Sequence, residues 1–168
     1  MKYAFAAIVG AAAVASALIA PAVAQSTFNK SSNGVAAKVQ ATPSQEAAAL
    51  AQTRCVELIK QQSAFDRSIA GYNAKARELE GKAKALPQNA SLTRGSEKCK
   101  NQAEQLQALQ QNGAEHLAYL DNIAESVKLC PSSMAEKLTA AQIAIKKSHE
   151  VIERVAIATE GSLASFCK

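Results

Sequence analysis

PSQEAAALAQTRCVELIKQQSAFDRSIAGYNAKARELEGKAKAL, residues 43–86, decides the fold. Its apolar positions are Ala48, Ala51, Cys55, Leu58, Phe65, Ile69, Tyr72, Ala76, Leu79, Ala83 and Leu86. Their spacings alternate between three and four, and Gln62 alone breaks the run. A heptad repeat sustained this long is a coiled-coil seam, because it keeps one stripe facing a partner helix. Thr42 can cap the start, Pro43 suits the first helical position, and Gln45 completes a capping box. Pro87 ends the helix. Gly71 and Gly81 each weaken it by about 1 kcal/mol and mark places where it can kink.

Working downstream, residues 87–96 (PQNASLTRGS) read as a loop. Helix 2 is expected at about 97–129, with a seam of Cys99, Ala103, Leu106, Gln110, Gly113, Leu117, Leu120, Ala124 and Val127. Leu109 and Ile123 widen that face, and Pro131 ends the helix. Ser133 and Glu136 form a second capping box. Helix 3 is expected at about 134–160. It carries Met134, Leu138, Ala141, Ile145, Ile152 and Val155, widened by Ile143, Val151 and Ile157. Gly161 is the expected stop. No stretch alternates with a period of two, so the expected fold is all-α: an elongated, coiled-coil-like antiparallel three-helix bundle. With 168 residues, the chain is long enough for one domain.

Short loops make neighbouring helices antiparallel, so each rise along helix 1 matches an equal fall along helix 2. Leu58 then meets Val127, Phe65 meets Leu120, Tyr72 meets Gly113 and Leu79 meets Leu106. Tyr72 over Gly113 would set a large residue on a small one. In the same way Leu120 meets Ile145, Gly113 meets Ile152 and Val127 meets Leu138. This register selects the disulfides. Cys99 and Cys130 lie 31 residues apart on one helix, about 46 Å at 1.5 Å per residue. A disulfide needs Cα atoms within about 7 Å. Cys99–Cys130 is thereby excluded, and pairing Cys55 with Cys167 or Cys99 would join opposite ends. Cys55–Cys130 and Cys99–Cys167 remain, one staple at each end.

Upstream, residues 1–24 read as a secretory signal peptide. Lys2 supplies the positive charge, residues 4–20 are apolar, and Ala22-Val23-Ala24 is a small-x-small cleavage site. Residues 25–42 are polar, small and aperiodic, which suits a flexible leader before a bundle at 43–168. No later segment is apolar enough to span a bilayer. Four cysteines in an exported chain fit disulfides, and no CxxC motif points to zinc or redox chemistry. The expected location is the bacterial periplasm, with an extracellular location as the alternative.

Charge is uneven. Residues 75–100 hold Lys75, Arg77, Lys82, Lys84, Arg94, Lys98 and Lys100 against three acidic residues. The tip of the first hairpin is therefore basic, with Lys168 expected near it. Such a tip suits an anionic partner. Nucleic acid is not expected, since export removes such partners and no aromatic residues interleave the cluster. His116 and His149 fall at one level of helices 2 and 3, with Glu153 one turn from His149. Two imidazoles and a carboxylate are the donor set of a weak metal site. Residues 43–54 run about 18 Å past the level of Cys55, an Ala-rich overhang suited to docking a partner or a second copy. The stretch from Gln102 to Gln111 reads as a solvated face.

Catalysis has no support. The chain has no GxSxG, phosphate loop, HExxH or GxGxxG, and its cysteines are assigned to disulfides. Neither an enzyme nor a cofactor is expected. The expected function is an exported interaction module of the cell envelope, binding a protein or anionic component through the basic tip. The alternatives are a metal-binding bundle using His116 and His149, and a chaperone. In outline the chain is similar to periplasmic holdase chaperones, which grip clients between helical arms. A homo-oligomer built on the helix 1 seam is compatible with each reading.

Overall fold

The computed structural model describes residues 42–87 and 93–167. The expected signal peptide, the leader up to residue 41, loop residues 88–92 and Lys168 lie outside the described residues. Three long helices follow in order: α1 (Pro43–Ala85), α2 (Glu97–Leu129) and α3 (Ala135–Phe166), with a single 3₁₀ turn at Ser132–Met134 before α3. There is no strand among the described residues. The expected all-α antiparallel bundle is what forms, and α2 is its hub, packing along both α1 and α3.

The local signals explain the helix starts. The backbone N–H of Thr42 donates to Gln45 Oε1 at 3.0 Å, with Pro43 in the first turn. Ser96 caps α2 by accepting from the Cys99 N–H at 3.3 Å. Gly95 precedes that cap with φ 83°, a left-handed conformation that costs a side-chain-bearing residue about 1–2 kcal/mol. α1 runs without interruption through Gly71 and Gly81.

Two expected boundaries are corrected. Ser133 and Glu136 form no capping box, because Ser132–Met134 close into the 3₁₀ turn and Met134 stands at the N-cap of α3 without a side-chain cap. Gly161 does not stop α3, which continues to Phe166 and so carries Cys167 to Cys99. Nothing lies within 4 Å of a Cβ built on Gly161, so no packing breaks the helix there.

Both disulfides join the expected pairs. Cys55 and Cys130 have Cα atoms 5.1 Å apart, and Cys99 and Cys167 have them 5.7 Å apart. They close separations of 75 and 68 residues. By the chain-entropy account each contributes about 4 kcal/mol. They matter because the buried apolar core is small. Leu58, Leu79, Ile123 and Leu138 are almost fully buried, and Ile69, Tyr119, Ile123, Leu138 and Ile145 form one cluster. Phe65 stacks on Tyr119 with ring centroids 5.1 Å apart.

The inward face of α2 differs from the expected seam by about one position. Asn101, Asn112, His116, Tyr119, Asn122, Ile123 and Ser126 are buried with Cys99. Leu117 and Val127 of the expected seam are 50% and 40% exposed. For Asn101, Asn122 and Ser126 the reason is hydrogen bonding. An inward amide or hydroxyl is tolerated when it is paired, and α1 supplies the partners. Asn101 Nδ2 donates to Leu79 O at 3.1 Å, and Asn122 Nδ2 donates to Leu58 O at 3.3 Å. Gln62 does not break the α1 seam either. It is buried there and donates to Asn122 Oδ1 at 3.3 Å and Ser126 Oγ at 3.4 Å. Gly113 does not sit under Tyr72. A Cβ built on it would meet Ile152 at 3.8 Å and His149 at 3.9 Å, so it faces α3.

Candidate functional site

The first candidate is the N-terminal stretch of α1. Residues 43–50 are exposed throughout, and Leu50 is 71% exposed. The seam continues here through Ala48 and Ala51, although Cys55 already stands beside Cys130 at the end of α2. The base of this overhang is tied down. Arg54 donates to both carboxylate oxygens of Glu125, from Nε at 2.8 Å and from Nη2 at 3.1 Å. That pairing holds the Glu125 carboxyl below the usual carboxylate range and the Arg54 guanidinium above its own. The projecting helix therefore has a fixed root.

The second candidate is the basic tip, and its charges are only partly compensated, three carboxylates standing against seven basic residues. Lys75 and Lys82 both pair with Glu78, Lys84 pairs with Glu80, and Lys100 pairs with Glu97. All are neighbours three or four residues apart on one helix, where such pairs form readily. Hydrogen bonds from Lys82 and Lys75 hold the Glu78 carboxyl below its usual range. Among the described residues, Arg77, Arg94 and Lys98 make no ion pair. Those three are unpaired, and a fourth positive charge is left over where Lys75 and Lys82 share the one Glu78 carboxylate.

The third candidate is the imidazole pair. His116 is 1% exposed. Its Nδ1 lies 2.8 Å from Asn112 O and its Nε2 lies 2.9 Å from Ser148 Oγ of α3. A carbonyl can only accept, so Nδ1 carries the proton and Nε2 accepts from the serine hydroxyl. Both ring nitrogens are thus engaged. The structure places His149 beside Gly113 and close enough for a charge on it to act on His116. No three or more His, Cys, Asp or Glu side chains converge among the described residues, so His116, His149 and Glu153 form no ligand set. Burial holds the His116 imidazole below the ordinary histidine range.

Sequence reasoning missed the polar ladder of α2, formed by Asn101, Asn122 and Ser126 with Gln62 opposite. Its one legible signal was Gln62, which interrupts a seam at the level where α2 presents Asn122 and Ile123. An amide at such a position asks for a partner amide. Tyr119 was also missed. Burial raises its phenol, and Asp66 adds to the rise.

No helix among the described residues is long and apolar enough to cross a membrane. Comparison with protein-family models, with curated proteins and with solved structures gave no match.

Proposed function

We propose that the chain is an exported, non-enzymatic interaction module that binds a protein or an anionic component of the cell envelope, in the periplasm of a bacterium. Two disulfides and the lack of a membrane-crossing helix among the described residues are compatible with export. The observation that carries the reading is the overhang of α1. Its seam continues past the end of the partner helix, and residues 43–50 stay exposed. An apolar seam without a partner among the described residues is ready for a helix from outside. The basic tip is the second contact surface, where Arg77, Arg94 and Lys98 steer an anionic partner.

Site-specific photo-crosslinking in the exporting cell tests this. A crosslinker at Leu50 is expected to give one discrete adduct, and one at Lys147 on α3 is expected to give none. No adduct at Leu50, together with suppression of client aggregation at near-equimolar amounts, would move the reading to a holdase chaperone. Replacing Lys82, Lys84, Arg94 and Lys98 together with Gln is expected to weaken binding to an anionic partner and flatten its salt dependence. Unchanged binding would remove the tip from the reading.

A further inference from the structure

The α2–α3 seam contains polar groups that α1–α2 lacks. His116 is almost wholly buried and spans the seam, bonded to Asn112 O on its own helix and to Ser148 Oγ on α3. His149 lies on the same seam against Gly113. Two buried polar atoms here have no hydrogen-bond partner, His149 Nδ1 and Asn112 Oδ1. Asn112 itself is 5% exposed. Along α1–α2 the buried amides are instead paired, Gln62 with Asn122 and Ser126, and Asn101 with Leu79 O.

We propose that His116 and His149 make the middle of the α2–α3 seam an acid-released latch. At neutral pH burial keeps His116 neutral, and its bond to the Asn112 carbonyl puts the one ring proton on Nδ1. Acid adds a proton at Nε2. The serine oxygen can turn to accept it, so the hydrogen bonds survive and the new element is a buried positive charge. Such a charge is costly without a paired carboxylate. Against burial, the bond to the Asn112 carbonyl favours the proton; of the charged groups, His149 from α3 opposes protonation and Glu115 from α2 favours it. No charged group of α1 acts on His116, and Asp66 of α1 acts on Tyr119 instead.

The direction of the pH effect follows. His116 binds its proton less readily folded than unfolded, so the unfolded state holds more protons in the window between the two pKa values. The stabilisation is complete above the unfolded value of about 6.5 and is lost as pH falls toward the folded value. Loosening is local. Cys99–Cys167 ties one end of the α2–α3 pair, and the turn at Ser132–Met134 joins the other. The middle therefore bows, and Ile145 and Ile152, buried at neutral pH, reach solvent.

Amide hydrogen exchange of the oxidised protein between about pH 7 and pH 5, corrected for the intrinsic rate, tests the latch. The amides of residues 112–120 and 145–152 are expected to lose protection by about tenfold per unit of pKa difference, while those of residues 58–69 in α1 hold theirs. Equal loss along both seams would overturn the proposal. The variant His116→Gln is expected to abolish the selective loss, and an unchanged profile in it would also overturn the proposal. His149→Gln supplies a second reading should His116→Gln not fold. Removing the opposing charge is expected to move the His116 titration, followed by its ring C–H resonance, to higher pH. A His116 that titrates at about 6.5 or above in the unaltered protein would refute the latch.

Discussion

Gln62 of α1 and Asn122 of α2 face each other inside the bundle, with Gln62 Nε2 donating to Asn122 Oδ1 at 3.3 Å. Asn122 replies through Nδ2, which donates to Leu58 O at 3.3 Å and to Gln61 Oε1 at 3.0 Å. The pair fixes the axial register of the two helices, since a one-turn slip would bury unpaired amides.

Asn122→Ala leaves the Gln62 amide and the Leu58 carbonyl short of partners. It is expected to cost about 1–3 kcal/mol, read by urea unfolding with both disulfides intact. The double variant Gln62→Leu, Asn122→Leu removes both partners and is expected to be near neutral or stabilising. A double variant as unstable as Asn122→Ala would show that the amides contribute more than mutual satisfaction.

Peptide mapping without reduction is expected to recover the pairs Cys55–Cys130 and Cys99–Cys167 with no free thiol. The paired change Cys55→Ser, Cys130→Ser is expected to lower stability by about 4 kcal/mol, and the other pair by a similar amount.

Gly113→Ala is expected to stabilise the protein by about 0.5–1 kcal/mol. The added methyl group would stand at ordinary contact distance from Ile152 and His149, and alanine is the better helix former. Gly113→Leu must push Ile152 aside and is expected to cost about 1–3 kcal/mol. Thermal unfolding at neutral pH distinguishes the two.

Ser148→Ala removes the hydroxyl that donates to His116 Nε2. A buried imidazole nitrogen is then left unmet, and a loss of about 1–3 kcal/mol is expected in chemical unfolding. Ser133→Ala, by contrast, is expected to leave stability within about 0.5 kcal/mol, because Ser133 is exposed and caps no helix.

The α1 seam and the disulfide pairing were legible because they rest on spacing and chain length, which the sequence states outright. The face of α2 was not. Leu106, Gly113, Leu117, Leu120 and Val127 mark an apolar stripe at good heptad spacing, and hydropathy alone selects it. The helix instead turns Asn101, His116, Asn122 and Ser126 inward, since partners on α1 and α3 meet them. Those partners belong to other helices, so their value appears only after assembly. The basic tip was legible as composition, but not which of its charges pair: Lys75, Lys82, Lys84 and Lys100 find carboxylates on their own helices, while Arg77, Arg94 and Lys98 do not. The overhang was legible because Cys55 has to lie beside Cys130.

The two disulfides interlace in sequence, Cys55 to Cys130 across Cys99 to Cys167. One peptide-bond cut anywhere from Cys55 to Cys167 therefore leaves a single covalent molecule, nicked but undivided. A cut just before Cys55 has a different result: it detaches the projecting end of α1 from a body that remains fully linked. Proteolysis there separates the N-terminal arm without breaking the bundle itself.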